Sequence, residues 1–313
     1  MKSKGIKFKT VDVFTDQVFF GNPLAVFFDC IDLKVEEMQS IAKEVGYSET
    51  AFVFAPKENS NTAKVRIFTP AGELPFAGHP NIGVSYLLFK YPKYILGSLV
   101  DETMILEQLA GNVQAIVNRD ENKQIVGTEI RAPENFQALG PIPFEPMSSA
   151  IGLEVSQICL GKYSPSIASV GLPFGIVKVK SLEILESCVP NISEFQFFDK
   201  EFRFSPDGFS VLVYTEENNQ KNDSINYIRA RVFCPLMGIV EDPATGSACG
   251  ALAGFLLSIA SPDKLDISIS VNQGIEIGRE SKIWAKAVRN SNESITVYIG
   301  GHCIEVFSGM LEI

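Results

Sequence analysis

Four short motifs occur twice in this chain of 313 residues, in the same order and at slowly drifting separation. Gly21-Asn22-Pro23-Leu24-Ala25-Val26-Phe27 has a counterpart in Gly171-Leu172-Pro173-Phe174-Gly175-Ile176-Val177. The apolar segment Ala51–Phe54 matches Val211–Tyr214, and Arg66-Ile67-Phe68-Thr69-Pro70 matches Arg231-Val232-Phe233-Cys234-Pro235. Ala77-Gly78-His79, at the head of an apolar helical segment, matches Thr245-Gly246-Ser247 at the head of another. Four matches in order predict a duplicated chain with two similar α/β halves. The boundary is expected in the Pro- and charge-rich stretch between Asn118 and Pro146, giving halves of 1–125 and 126–302, with a last strand at about 303–313 returning to the first half.

The local pattern supplies the elements. Phe8–Phe14 alternates as a strand and Leu24–Phe28 is a continuous apolar run, as buried strands are. Val35–Val45 places Met38, Ile41, Ala42 and Val45 at helical spacing and stops at Gly46. Asn81–Phe89 and Ala248–Leu257 carry no charge and read as buried helices, the first begun by Pro80. Ile283-Trp284-Ala285 reads as strand core.

Two helices of this kind matter because each starts with a glycine and leaves its first N–H groups without an intrahelical partner. Glu241-Asp242-Pro243-Ala244-Thr245-Gly246-Ser247-Ala248 delivers one of them, and Ala77-Gly78-His79-Pro80 the other. Approximate twofold symmetry between the halves would aim both helix starts at one cleft, where paired N–H groups favour an anionic ligand, most simply a carboxylate. Glu49 stands at the start of the apolar strand, so desolvation is expected to raise its pKa to roughly 6–7, the range useful for proton transfer.

Composition narrows the function classes. A formal charge of −10, with no Lys/Arg cluster to offset it, argues against nucleic acid. Lys2, Lys4, Lys7 and Lys9 read as the polar edge of a first strand, with no apolar run behind them of the kind a secretory signal has. No apolar run is long enough to span a bilayer. The six cysteines lie far apart without C-x-x-C spacing, and there are only two histidines, His79 and His302. A metal site and a disulfide framework are therefore not expected, and the chain reads as reduced and cytoplasmic.

Gly21-Asn22-Pro23-Leu24-Ala25-Val26, Ser48-Glu49-Thr50-Ala51-Phe52, Gly78-His79-Pro80 and Glu241–Ala248 together resemble the signature of the phenazine-biosynthesis PhzF-like isomerases, in that family's order and across essentially the whole chain. The resemblance implies the diaminopimelate epimerase-like fold, two similar halves each with a β-sheet curled around a central helix. It implies a homodimer, no cofactor, and a small carboxylate-bearing substrate. Glu49 would be the general acid/base that takes a proton from one carbon and returns one elsewhere. His79 would hold the substrate and assist the proton's movement, and Asp242 would orient a substrate amine or hydroxyl. Ser247, the counterpart of His79, would donate from its hydroxyl and N–H, while Gly78 and Gly246 bring backbone to the carboxylate. The chain departs from the usual family pattern at Asn81, where Thr is commoner, and at Glu280, where Pro is.

Two other readings share the fold. An amino-acid epimerase or racemase of this type needs a thiol at each helix start, where this chain has Ala77 and Ala244 or Thr245; Cys249 falls deeper in its helix, as a core residue would. A non-catalytic small-molecule-binding protein would keep the cleft without needing Glu49.

Overall fold

A computed structural model describes residues 5–98, 102–202, 208–217 and 224–313. Lys2 and Lys4 lie outside the described residues. The chain forms two compact units, Met1–Pro133 with Gly300–Ile313, and Glu134–Ile299.

The first unit contains β1 (Gly5–Val13), β2 (Asn22–Phe27), α1 (Val35–Val45), β3 (Glu49–Phe54), β4 (Ala63–Phe68), β5 (Glu73–Leu74), α2 (Gly78–Lys90), β6 (Thr103–Gln108), β7 (Gly111–Arg119) and β8 (Ile125–Arg131). β1 pairs antiparallel with β2, which runs parallel to β3; β3 pairs antiparallel with β4, β4 parallel with β6, and β6 and β7 antiparallel with their successors. A further strand at the chain's far end (residues 295–312) pairs with β8 and, through Cys303–Glu312, with β1, so that together with all of these strands but β5 it closes a ring. Closure removes the sheet edges.

Helix α2 is the barrel's filling. Gly78 through Phe89 are all buried, and a helix apolar all round is one surrounded on every side. Amphipathic α1 instead lies outside, with Met38, Ile41 and Ala42 against Phe27, Phe52 and Phe68. Strands between an inner and an outer helix are covered on both faces, which explains their unbroken apolar runs. In β3, Phe52 packs toward α1, so Glu49, Ala51 and Val53 face the other way, toward α2.

The second unit repeats the plan with β9 (Gln137–Pro141), α3 (Phe144–Ala150), β10 (Ser166–Ser169), β11 (Pro173–Lys178), α4 (Leu182–Ser187), α5 (Ile192–Phe202), β12 (Val211–Glu216), β13 (Ile225–Cys234), β14 (Ile239–Asp242), α6 (Gly246–Ser258), β15 (Asp266–Gln273), β16 (Ser281–Arg289) and the start of β17 (Ile295–Glu312). β9 to β13 pair in succession, parallel only between β11 and β12; β15 then runs parallel to β13 and antiparallel to β16. These are the pairings of the first unit, strand for strand. Its central helix α6 is buried from Gly246 to Leu257, while α3, α4 and α5 cover the outside of the sheet with Met147, Leu185, Phe195 and Phe198.

The ladders correct one alignment read from the motifs. Ala25 opposes Thr50 and Gly175 opposes Val211; Phe68 opposes Thr50 and Phe233 opposes Val211. Val211 is therefore the counterpart of Thr50, not of Ala51, and Ser210 is the counterpart of Glu49. A shift of one residue exchanges the faces of a strand, and only this register keeps Val211 and Val213 on the outer face as Phe52 is. Trp284 also differs from expectation: it is half-buried, while Ile283 and Ala285 are buried.

Two glycines separate backbone strain from crowding. Gly46 ends α1 at φ 69 with its N–H donating to the Ala42 carbonyl, and a Cβ there would meet nothing closer than 4.0 Å. Gly21, at φ 65, would place a Cβ 2.3 Å from the Val13 carbonyl oxygen. Gly46→Ala is expected to cost about 1 kcal/mol and Gly21→Ala at least about 3 kcal/mol, read as shifts in urea midpoint. Equal shifts would mean that the Gly21 turn relaxes freely.

Candidate active site

In the first unit, β3 begins with Glu49 and α2 begins with Gly78. The Glu49 side chain is 16% exposed, and its Oε2 lies 3.6 Å from His79 Nε2, just beyond hydrogen-bond reach. That oxygen is buried and accepts no hydrogen bond among the described residues. Burial pushes the Glu49 carboxyl up to about 7, and a hydrogen bond from Ser48 only partly offsets it. A carboxyl in this state holds or releases a proton near neutrality at little cost in either direction. Ser48 Oγ also lies 3.2 Å from Asn22 Oδ1, so its one proton is shared between Glu49 and the buried Asn22 of the turn after Gly21.

Asn81 sits inside the first turn of α2, fully buried. Its Nδ2 donates to the Ala77 carbonyl at 2.8 Å, and its amide exchanges hydrogen bonds with that of Gln108, the last residue of β6. The residue that departs from the usual family pattern thus has a structural task in fixing the helix start. Residue 77 is alanine, which has no side chain to cap the helix.

The second unit builds its helix start from a longer polar chain. Asp242 ends β14 and is 9% exposed. Thr245 Oγ1 donates to Asp242 Oδ2 at 2.5 Å, and so does not cap α6. Fully buried Gln273, the last residue of β15, accepts from Thr245 N–H at 3.1 Å and donates to the Asp242 carbonyl at 2.8 Å. Gly246 and Ser247 follow as the first helical residues, both buried. Cys249 is buried in the core with its thiol pushed up by burial, the opposite of an activated nucleophile.

Both approaches are braced by an Arg–Glu pair that the repeated motifs did not reveal. Arg66 grips Glu73 through two bonds of 2.6 and 2.5 Å, and Arg231 grips Glu241 through two of 3.0 and 2.7 Å. Glu73 lies six residues before His79 as Glu241 lies six before Ser247, and Gln108 ends its strand as Gln273 does. That shared spacing was the available signal. Glu49 has no such twin, since Ser210 stands at its place and a serine hydroxyl is no base. The structure thus groups Glu49, Gly78 and His79 in the first unit, and Asp242, Gly246 and Ser247 in the second. Among the described residues, no three His, Cys, Asp or Glu side chains cluster as metal ligands, and no helix is long and apolar enough to cross a membrane.

Comparison with known proteins agrees with this architecture. Residues 11–309 match the family model described as phenazine biosynthesis-like protein. A trans-2,3-dihydro-3-hydroxyanthranilate isomerase from Pseudomonas aeruginosa is 32% identical over 303 residues, 95% of each chain. A PhzF-family phenazine biosynthesis protein from Bacillus anthracis superposes with a TM-score of 0.84 at 26% identity, over 99% of this chain and 100% of the other. A hydroxyproline epimerase from Agrobacterium vitis shares the fold alone, with a TM-score of 0.65 at 11% identity over 99% of this chain and 93% of the other.

Proposed function

This chain belongs to the phenazine biosynthesis-like family and is an isomerase, and from that premise we propose that it moves a proton between two carbons of a small carboxylate-bearing substrate without a cofactor. The observation that carries the reading is Glu49, a largely desolvated carboxyl poised at about 7 and lying 3.6 Å from His79.

The ionised Glu49 takes a proton from a substrate carbon, and the electron pair left behind is delocalised toward the substrate carboxylate. The protonated Glu49 then returns a proton to a different carbon, so the substrate is isomerised and the enzyme is restored. His79, on the adjoining helix start, holds the substrate and assists the proton. Negative charge developing on the substrate is stabilised by the first N–H groups of α2, where Gly78 supplies backbone approach; Gly246 and Ser247 at the start of α6, with the Ser247 hydroxyl, are assigned to carboxylate binding. Asp242 accepts from a substrate amine or hydroxyl. A single acid/base contributes about 10²–10⁴ in rate, so positioning and charge stabilisation supply the rest.

The Pseudomonas relative acts, by its name, on a cyclic amino carboxylate, and we assign the substrate here to the same chemical class. A homodimer working in the cytoplasm with its cysteines reduced completes the reading; the oligomeric state is checked by analytical ultracentrifugation. The test of the chemistry is turnover of small cyclic and amino carboxylates in heavy water. Solvent deuterium should appear at the carbon that gains the proton. Isomerised product that carries no solvent deuterium at any conversion, with no isotope effect from deuterating the donor carbon, would overturn the reading.

A further inference from the structure

We propose that Gln273 is a positioning residue that sets the direction of the Thr245–Asp242 hydrogen bond, so that the site selects substrates carrying a hydrogen-bond donor beside the carboxylate. The inference rests on the reading of Asp242 as the partner of a substrate amine or hydroxyl.

The argument turns on which groups can only donate and which can only accept. The Thr245 backbone N–H can only donate, and it points at Gln273 Oε1 at 3.1 Å. The Asp242 backbone carbonyl can only accept, and it receives Gln273 Nε2 at 2.8 Å. Together these two backbone groups fix which end of the Gln273 amide is oxygen and which is nitrogen. The same Nε2 lies 3.1 Å from Thr245 Oγ1, where it is the donor. The Thr245 hydroxyl, having accepted there, directs its one proton to Asp242 Oδ2, 2.5 Å away. Asp242 is thereby held as an acceptor in a fixed orientation.

Gln273 is completely buried, and its Oε1 lies 3.8 Å from Cys249 Sγ in the first turn of α6, so the amide grips both the turn and the helix it feeds. The first unit repeats the device without the polarity: Gln108 ends β6 and exchanges bonds with Asn81, but there is no threonine at Ala77 and no carboxylate at Leu74 for a proton direction to be imposed on. The directed chain is a property of the Asp242 side alone.

The probes are 2-aminobenzoate and benzoate, which differ only in the amine, with binding measured by calorimetry on the full chain. Wild-type protein should prefer 2-aminobenzoate by roughly ten- to a hundredfold, the worth of one hydrogen bond to a charged acceptor. Thr245→Val should abolish that preference and leave benzoate affinity within about twofold, while Thr245→Ser restores the preference. Gln273→Glu keeps an acceptor for the Thr245 N–H but draws the threonine hydroxyl away from Asp242, and should also abolish it. Thermal melts show which variants are folded, and Gln273→Glu carries the test if Thr245→Val is not. An undiminished preference in either folded variant would overturn the inference alone. Failure of wild-type protein to bind either carboxylate would overturn the site reading on which it rests.

Discussion

Replacing Glu49 by Gln is expected to lower kcat by about 10²–10⁴ while substrate affinity is kept, because the amide preserves the shape of the side chain and loses its capacity to accept a carbon-bound proton. In the wild-type enzyme kcat/KM should rise with pH and level off above about 7, where Glu49 of the free protein is ionised. The same substitution should alter stability with a sign that depends on pH. Burial raises the folded-state pKa above that of the unfolded chain, so ionising Glu49 costs the folded state free energy. Below the unfolded value, near 4.5, both states are protonated and the cost is absent; it grows as pH rises and is fully present above about 7. Glu49→Gln removes that cost. Relative to its difference at pH 4, the variant should gain on the order of 3 kcal/mol over wild-type protein by pH 8. A stability difference that does not vary with pH, or an exchange rate unchanged by the substitution, would remove Glu49 from the role assigned to it.

The second large effect is expected outside the groups assigned to the chemistry. Arg231 is 8% exposed, forms its two bonds to Glu241, and sends Nη1 to the carbonyls of Leu185, Glu186 and Cys188 at 3.1, 3.1 and 2.9 Å. It therefore closes the C-terminal end of α4 and braces the strand that leads to Asp242. Arg231→Ala strands a buried carboxylate and three carbonyls together, and should cost about 3–5 kcal/mol. Its counterpart Arg66, among the described residues, hydrogen-bonds Glu73 but no helix-end carbonyls, and both side chains are 19% exposed, so Arg66→Ala should cost about 1–2 kcal/mol. Arg231→Met combined with Glu241→Leu should recover most of the larger loss, since the isolated charge rather than the missing pair sets its size. Urea denaturation of the four proteins checks the order. Equal costs at Arg231 and Arg66 would mean that the α4 carbonyls find other partners.

What could be read from the residues was what local physics encodes. The central helices announced themselves because α2 and α6 are apolar all round, and Val35–Val45 because its apolar residues follow one helical face. Glu49 was legible because a carboxylate heading Ala51–Phe54 has to lose water. The register of β12 was not, because in a strand covered on both faces every residue is apolar and a slip of one position leaves no trace in the pattern. Gln273 could be matched to Gln108 by its place, but its task was equally silent. Its partners Asp242 and Thr245 lie 31 and 28 residues away, and a glutamine ending a strand has the same composition whether it faces water or locks a turn.

The last strand imposes an order of events on the making of this protein. β1 finds its partners at positions 303–312, nearly three hundred residues downstream. During vectorial synthesis the segment that carries Glu49 and His79 emerges before residues 303–312, and its barrel stays open between β1 and β8 until those have left the ribosome. The second unit needs no strand later than Ile299 and can fold first. Glu49 is thus translated well before the strand that completes its barrel, and a chain lacking residues 303–312 would leave β1 without that partner and the Glu49 carboxyl in a more hydrated setting.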